Sequence, residues 1–180
     1  MSFWGPQTAS YLKVSLTLLS WVPVAFTFQS HVYDITQVKG ASMVPTFNPP
    51  EGVSNDFVLV HKFNLRHSLK VNDVVLFRSP TNPEQVYVKR IKGLQGDTVI
   101  AKHPYPKRQV QVPRNHIWVE GDNSSLTVDS NNFGPISNGL VIGRCEKIIW
   151  PVSRWGNVRG YGGREARERM LRGIESIEDV

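Results

Sequence analysis

Between Phe57 and Trp150 the chain carries seven short β-branched or aromatic runs with little room between them, and that crowding decides the fold class. The runs are Phe57-Val58-Leu59-Val60, Asp73-Val74-Val75-Leu76-Phe77, Gln85 to Ile91, Thr98-Val99-Ile100, Gln109-Val110-Gln111-Val112, Ile117-Trp118-Val119, and a longer one from Leu140 to Trp150. Residues of these types, bounded by Gly, Pro, Asn and Asp, read as strands. Parallel strands need crossovers of a dozen or more residues, normally helical, and no helical pattern lies between the runs. A mainly β, antiparallel, barrel-like domain is therefore expected. Pro49-Pro50-Glu51-Gly52, Ser79-Pro80-Thr81-Asn82-Pro83 and His103-Pro104-Tyr105-Pro106 read as loops. With 180 residues and 40% hydrophobic content, one domain with a real core is in reach.

The flanks differ from this body, and the expected organisation has three parts. Residues 1–33 form an N-terminal segment, 34–150 the β-rich domain, and 151–180 a Gly- and Arg-rich tail. Val14 to Tyr33 is a run of twenty residues without Asp, Glu, Lys or Arg. As a helix it would be about 30 Å long, the thickness of a bilayer core, so a single transmembrane anchor over about 14–33 is expected. Trp21, Phe26, Phe28 and Tyr33 suit a membrane interface, and Pro23 is a kink a membrane helix tolerates. Ser15, Thr17, Ser20, Thr27, Gln29 and Ser30 dilute the run. A cleaved secretory signal is the rival reading, without a small-x-small cleavage site to support it. The tail holds six Arg and five acidic residues; a solvated terminus and a short charged helix over 164–177 are both open.

A net charge of +6 suits nucleic acid or an anionic membrane surface. No basic run interleaved with aromatics, helix-turn-helix or zinc pattern supports nucleic acid. The five histidines are scattered and a lone Cys145, in an apolar run, reads as a small buried hydrophobe, so neither a metal site nor a disulfide is indicated.

Two residues carry candidate chemistry. In Gly40-Ala41-Ser42-Met43-Val44-Pro45-Thr46, Pro45 restrains the segment and Gly40 permits a close or positive-φ approach upstream. Ser42 can then present its hydroxyl and its own N–H to one space, as a nucleophile beside an oxyanion donor must; a turn serine is the plain alternative. A serine nucleophile needs a base. His61, His67, His103 and His116 stand outside any motif. In Tyr87-Val88-Lys89-Arg90-Ile91, strand alternation puts Lys89 on the face of Tyr87 and Ile91, with Arg90 opposite. Desolvation on such a face lowers a lysine pKa, and a neutral Lys89 can take the Ser42 proton; a lysine snorkelling at a sheet rim is the alternative.

Four motifs then occur in order: Gly40-x-Ser42-Met43-x-Pro45-Thr46; Asp73-Val74-Val75-Leu76-Phe77-x-x-Pro80; Tyr87-Val88-Lys89-Arg90-Ile91-x-Gly93-Leu94-x-Gly96-Asp97; and Gly121-Asp122-Asn123 continuing through Asp129-Ser130 to Gly134-Pro135. Their order resembles the boxes of the type I signal peptidase family over roughly residues 30–150. The short length resembles its mitochondrial inner-membrane branch. The resemblance implies a membrane-anchored serine endopeptidase, without cofactor, in which Ser42 is the nucleophile and Lys89 the general base. It also implies that Met43 packs against the dyad, that Thr127 supplies a hydroxyl to Lys89, and that Arg90 and Asp122 form a structural pair. The family's extra oxyanion hydroxyl falls on Gly40, leaving a backbone donor. A family arginine falls on Asn131, which leaves the partner of Asp129 open.

The implied substrates are precursors with intermembrane-space sorting signals, bound extended with small residues near the cut. The implied setting is the mitochondrial inner membrane with the catalytic domain in the intermembrane space, in a heterodimer with a paralogous subunit, without nucleic acid. A non-catalytic barrel that stabilises such a subunit is the competing reading. A self-cleaving repressor is disfavoured, because no DNA-binding head precedes the domain.

Overall fold

The structure, a computed structural model, describes residues 6–49, 55–65 and 68–158. It opens with helix α1 (Pro6–His31), followed by β1 (Tyr33–Gln37), β2 (Phe57–His61), β3 (Val74–Arg78) and β4 (Val86–Gly93). A separate hairpin, β5 (Thr98–Ile100) and β6 (Gln109–Gln111), precedes β7 (His116–Glu120). A one-turn helix α2 (Ser130–Phe133), β8 (Ile136–Ser137), the long β9 (Val141–Trp150) and β10 (Gly156–Asn157) complete the chain.

Every strand pair is antiparallel. The main sheet runs β1-β2-β9-β3-β4-β7-β8, with β10 added to β9. The ten-residue β9 is its spine, hydrogen-bonded to β2 on one side and β3 on the other. Register shifts interrupt β2–β9 twice and β3–β9 and β4–β7 once each. Such bulges bend a strand and increase its twist, so the sheet curls. Gly143 lies where β9 crosses β2: a Cβ there would sit 2.2 Å from Val60 Cγ1.

All seven runs read from the sequence become strands, within one or two residues at each end. The mainly β, antiparallel body stands, with one core on each face of β3 and β4 and a third, smaller cluster at the β5–β6 hairpin. One holds Val38, Met43, Phe47, Val58, Val60, Val74 and Cys145; the other holds Val75, Phe77, Ile91, Ile117, Val119 and Ile136. The body also runs past Trp150, since a 3-10 turn (Val152–Arg154) returns the chain to pair β10 with β9, and Val158 is buried. The possible helix over 164–177 lies outside the described residues.

The transmembrane anchor expected over 14–33 is corrected. α1 starts at Pro6, eight residues early, and ends at His31, with Tyr33 already in β1. Its 26 residues give about 39 Å, so length is ample. Yet no described helix is both long and apolar enough to cross a membrane. The reason is polar dilution: Lys13 and the hydroxyls of Ser15, Thr17, Ser20 and Thr27 recur through the helix. With the anchor go the expectations built on it: a membrane-anchored enzyme, association with the membrane, and inner-membrane embedding with a domain facing the intermembrane space.

Phe47 is fully buried in the first core, and its N–H bonds the Met43 carbonyl at 2.9 Å. Phe47→Ala is expected to cost about 3–5 kcal/mol through the cavity it leaves, read as a lowered denaturation midpoint.

Candidate active site

The site lies where the segment after β1 meets β4 and the loop after β7. Gly40 takes φ +85°, a left-handed turn that favours glycine, and lets the chain double back into a run of turns through Phe47. The Val44–Pro45 peptide within it is cis. From the opposite side the loop after β7 pins this turn. The Asn123 N–H donates to the Ser42 carbonyl at 3.0 Å and Asn123 Nδ2 to the Ala41 carbonyl at 3.1 Å. Gly121 makes the approach possible, since a Cβ there would fall 2.7 Å from the Ser42 carbonyl oxygen and 2.3 Å from Thr127 Oγ1.

Ser42 and Lys89, 47 residues apart, are brought together, with Lys89 Nζ donating to Ser42 Oγ at 2.7 Å. Lys89 is only 3% exposed, and its Nζ lies 5.7 Å from the Tyr87 ring centroid. Burial pushes its pKa down to about 8, although the nearby charges of Asp129 and Asp122 act in the opposite sense. Relative to an ordinary lysine near 10.4, that corresponds to roughly 3 kcal/mol in favour of the neutral amine. Desolvation therefore wins over two carboxylates. Asp129 makes no hydrogen bond to Lys89 among the described residues and instead accepts from its own loop. Oδ2 accepts from the Gly121 N–H at 2.9 Å; Oδ1 accepts from the Asn131 N–H and Nδ2 at 3.0 and 2.9 Å. The partner of Asp129, left open by the sequence, is thus Asn131 itself, within the cap of α2.

One position along β4 the treatment reverses. Arg90, 1% exposed, makes four hydrogen bonds: Nε and Nη2 donate to Asp122 Oδ1 and Oδ2 at 2.8 and 2.6 Å, Nη1 to the Asn72 carbonyl, and Nη2 also to Thr46 Oγ1. The Thr46 hydroxyl in turn donates to Asp122 Oδ2. Burial works against an ionised Asp122, but the Arg90 hydrogen bonds and charge, with Thr46, outweigh it and hold the carboxyl below the usual range.

Met43 is buried in the first core. The Thr127 hydroxyl is not brought to Lys89 in a hydrogen bond; its Oγ1 is buried and has no partner among the described residues. Of the histidines, His61 Nδ1 lies 3.7 Å from Glu146 and His116 Nδ1 faces the Arg114 carbonyl, while His67 lies outside the described residues. Among the described residues the Ser42 hydroxyl has Lys89 as its hydrogen-bond partner, and the Ser42 N–H is left without one. Thr46 and Asn123 stood inside recognised motifs, yet their roles in holding the turn were not read from the sequence. A short hydroxyl or amide within a motif carries no pattern that reveals its partner.

A buried lysine on a serine hydroxyl, on an antiparallel β body, defines a serine–lysine hydrolase geometry. The family described as signal peptidase, peptidase S26, matches residues 10–104. The chain belongs to that family and is a serine endopeptidase of its class. It is 54% identical to mitochondrial inner membrane protease subunit 2 of Saccharomyces cerevisiae, over 86% of this chain and 89% of the relative. Identity to the protein of that name from Homo sapiens is 44%, over 74% and 77%. Identity to mitochondrial inner membrane protease subunit 1 of Schizosaccharomyces pombe is 34%, over 73% and 83%. Among solved structures, a signal peptidase I from Enterococcus faecalis aligns with 22% identity and a TM-score of 0.39, over 44% of this chain and 98% of that one.

Removing Asp122's charge leaves Arg90 buried and uncompensated, so Asp122→Asn is expected to lose about 3–5 kcal/mol at neutral pH in denaturant titrations. Because the folded pKa of Asp122 is depressed, its contribution is present above about 3.9, the ordinary aspartate value, and is lost as pH falls through the lower folded value. The gap between wild type and variant should therefore close in strong acid.

Proposed function

We propose that Ser42 is the nucleophile and neutral Lys89 the general base of a peptidase that removes leader peptides from precursor proteins. The observation that carries this reading is the 2.7 Å contact between a serine hydroxyl and a lysine that is almost fully buried. Ser42 Oγ attacks the scissile carbonyl carbon while its proton passes to Lys89 Nζ. The tetrahedral oxyanion is held by the Ser42 N–H, which has no partner among the described residues. Lys89 then protonates the leaving amine as the C–N bond breaks, which leaves an ester on Ser42. Water, deprotonated by Lys89, attacks that ester, and the acid product departs with Ser42 restored.

Arg90 and Asp122 act in this scheme as a structural pair that fixes β4 against the nucleophile turn. Gly40 and Met43 shape and dry the turn. Thr127, against Gly121, is the hydroxyl that would support Lys89 in this scheme. The names carried by the relatives support a mitochondrial place of action, and likeness to a subunit 1 as well as to subunit 2 supports pairing with a homologous chain. The family description supports signal-type peptides as substrates.

The test is cleavage by the full chain of a fluorogenic extended peptide with small residues before the scissile bond. Ser42→Ala is expected to be inert. Lys89→Arg keeps a cation but cannot shed its proton, and should lose about 10²–10⁴-fold in kcat. Wild-type turnover in either variant would remove that residue from the catalytic role, and an inert wild-type chain would return it to the scaffold reading.

A further inference from the structure

The turn that carries Ser42 is held from a third direction, by a part of the chain beyond all four motifs. Arg154 ends the 3-10 turn after β9, its own N–H bonded to the Pro151 carbonyl at 2.9 Å. One arm of its guanidinium donates to Asp56 Oδ2, and the other to the Thr46 carbonyl at 2.8 Å. Asp56, fully buried, also accepts the Asn48 N–H at 2.8 Å, and Asn48 Oδ1 accepts the Asp56 N–H at 2.8 Å. Asn48 Nδ2 reaches back to the Val38 and Gly40 carbonyls at 2.9 and 3.1 Å.

The connected set Arg154–Asp56–Asn48 therefore grips both ends of the Gly40–Thr46 turn, at the Gly40 carbonyl and at the Thr46 carbonyl. Thr46 is held from both sides, because its hydroxyl points the other way, into the Arg90–Asp122 pair. A buried ion pair that served only to neutralise Asp56 would need one arm of the guanidinium. Here the planar fork spends its second arm on main chain four residues from Ser42, a geometry that an ammonium cannot reproduce.

We propose that Arg154 is a positioning residue for the reaction: through Asp56 and the Thr46 carbonyl it sets the turn at the height where Ser42 Oγ meets Lys89. This inference rests on Ser42 being the nucleophile. It makes residues 151–158 part of the working enzyme rather than of a tail.

The test compares full-length wild type, Arg154→Lys and Ser42→Ala on the same fluorogenic peptide, with thermal melts to normalise rates to folded protein. Arg154→Lys keeps a cation beside Asp56 but loses the fork. Its kcat is expected to fall about tenfold to a hundredfold, as a small misplacement of the nucleophile should produce, with KM unchanged because no substrate contact is touched. Wild-type kcat per folded molecule in Arg154→Lys, with Ser42→Ala inert, would overturn the positioning role while leaving the nucleophile standing. Cleavage by Ser42→Ala would overturn the nucleophile reading and the positioning role with it. Should Arg154→Lys fail to fold, the paired Asp56→Asn/Arg154→Gln variant, which buries no charge, is read by the same criterion.

Discussion

Two basic side chains sit side by side on β4, and the protein must keep one of them poorly solvated and off any carboxylate while pairing the other with Asp122. Strand alternation alone separates them, turning Lys89 toward Tyr87 and Ser42 and Arg90 toward Thr46 and Asp122. Around Arg90 every donor direction used is met by a carboxylate, a hydroxyl or a carbonyl. Around Lys89 the nearest carboxylates are withheld: Asp122 is committed to Arg90, and Asp129 to the cap of α2 and the Gly121 N–H. Had either paired directly with Lys89, its proton would be held more tightly and the proposed base would be lost. Burial is what depresses the lysine pKa, and the two acids oppose it from a distance, through charge alone.

The same economy of contacts orders the nucleophile turn. Asn123 fixes the carbonyls of Ala41 and Ser42, Thr46 is tied by its hydroxyl to the Arg90 pair, and Arg154 with Asn48 holds the turn's two ends. Among the described residues these ties leave the Ser42 hydroxyl to Lys89 and the Ser42 N–H without a partner. Glycine is required where main chain must pass close: at Gly121 against the Ser42 carbonyl, and at Gly143 against Val60 on the sheet spine.

Much of this was legible in the sequence because it is written in local pattern. β-branched runs between turn residues locate the main strands, and the period of two correctly separates Lys89 from Arg90. β1 was missed because it begins inside the uncharged run and carries Asp34, Thr36 and Gln37. β8 and β10, two residues each, are too short to leave a pattern. The apolar run was read as a membrane anchor from its lack of charge, but its recurrent hydroxyls leave the helix short of the apolar character that crossing requires. The Arg154–Asp56 contact joins residues 98 apart, with no motif at either end. Asp129–Asn131 is local, two residues apart within the cap of a four-residue helix, and so short an element leaves no periodic pattern to read.

The most direct measurement of the central claim is an NMR titration of the Lys89 side chain in the full-length protein, with Lys89→Arg to assign its resonance. The account predicts an inflection near pH 8, with the amine mostly neutral above it. An inflection near 10.4, the ordinary lysine value, would mean that burial does not prepare Lys89 as a base, and would contradict the account at its centre.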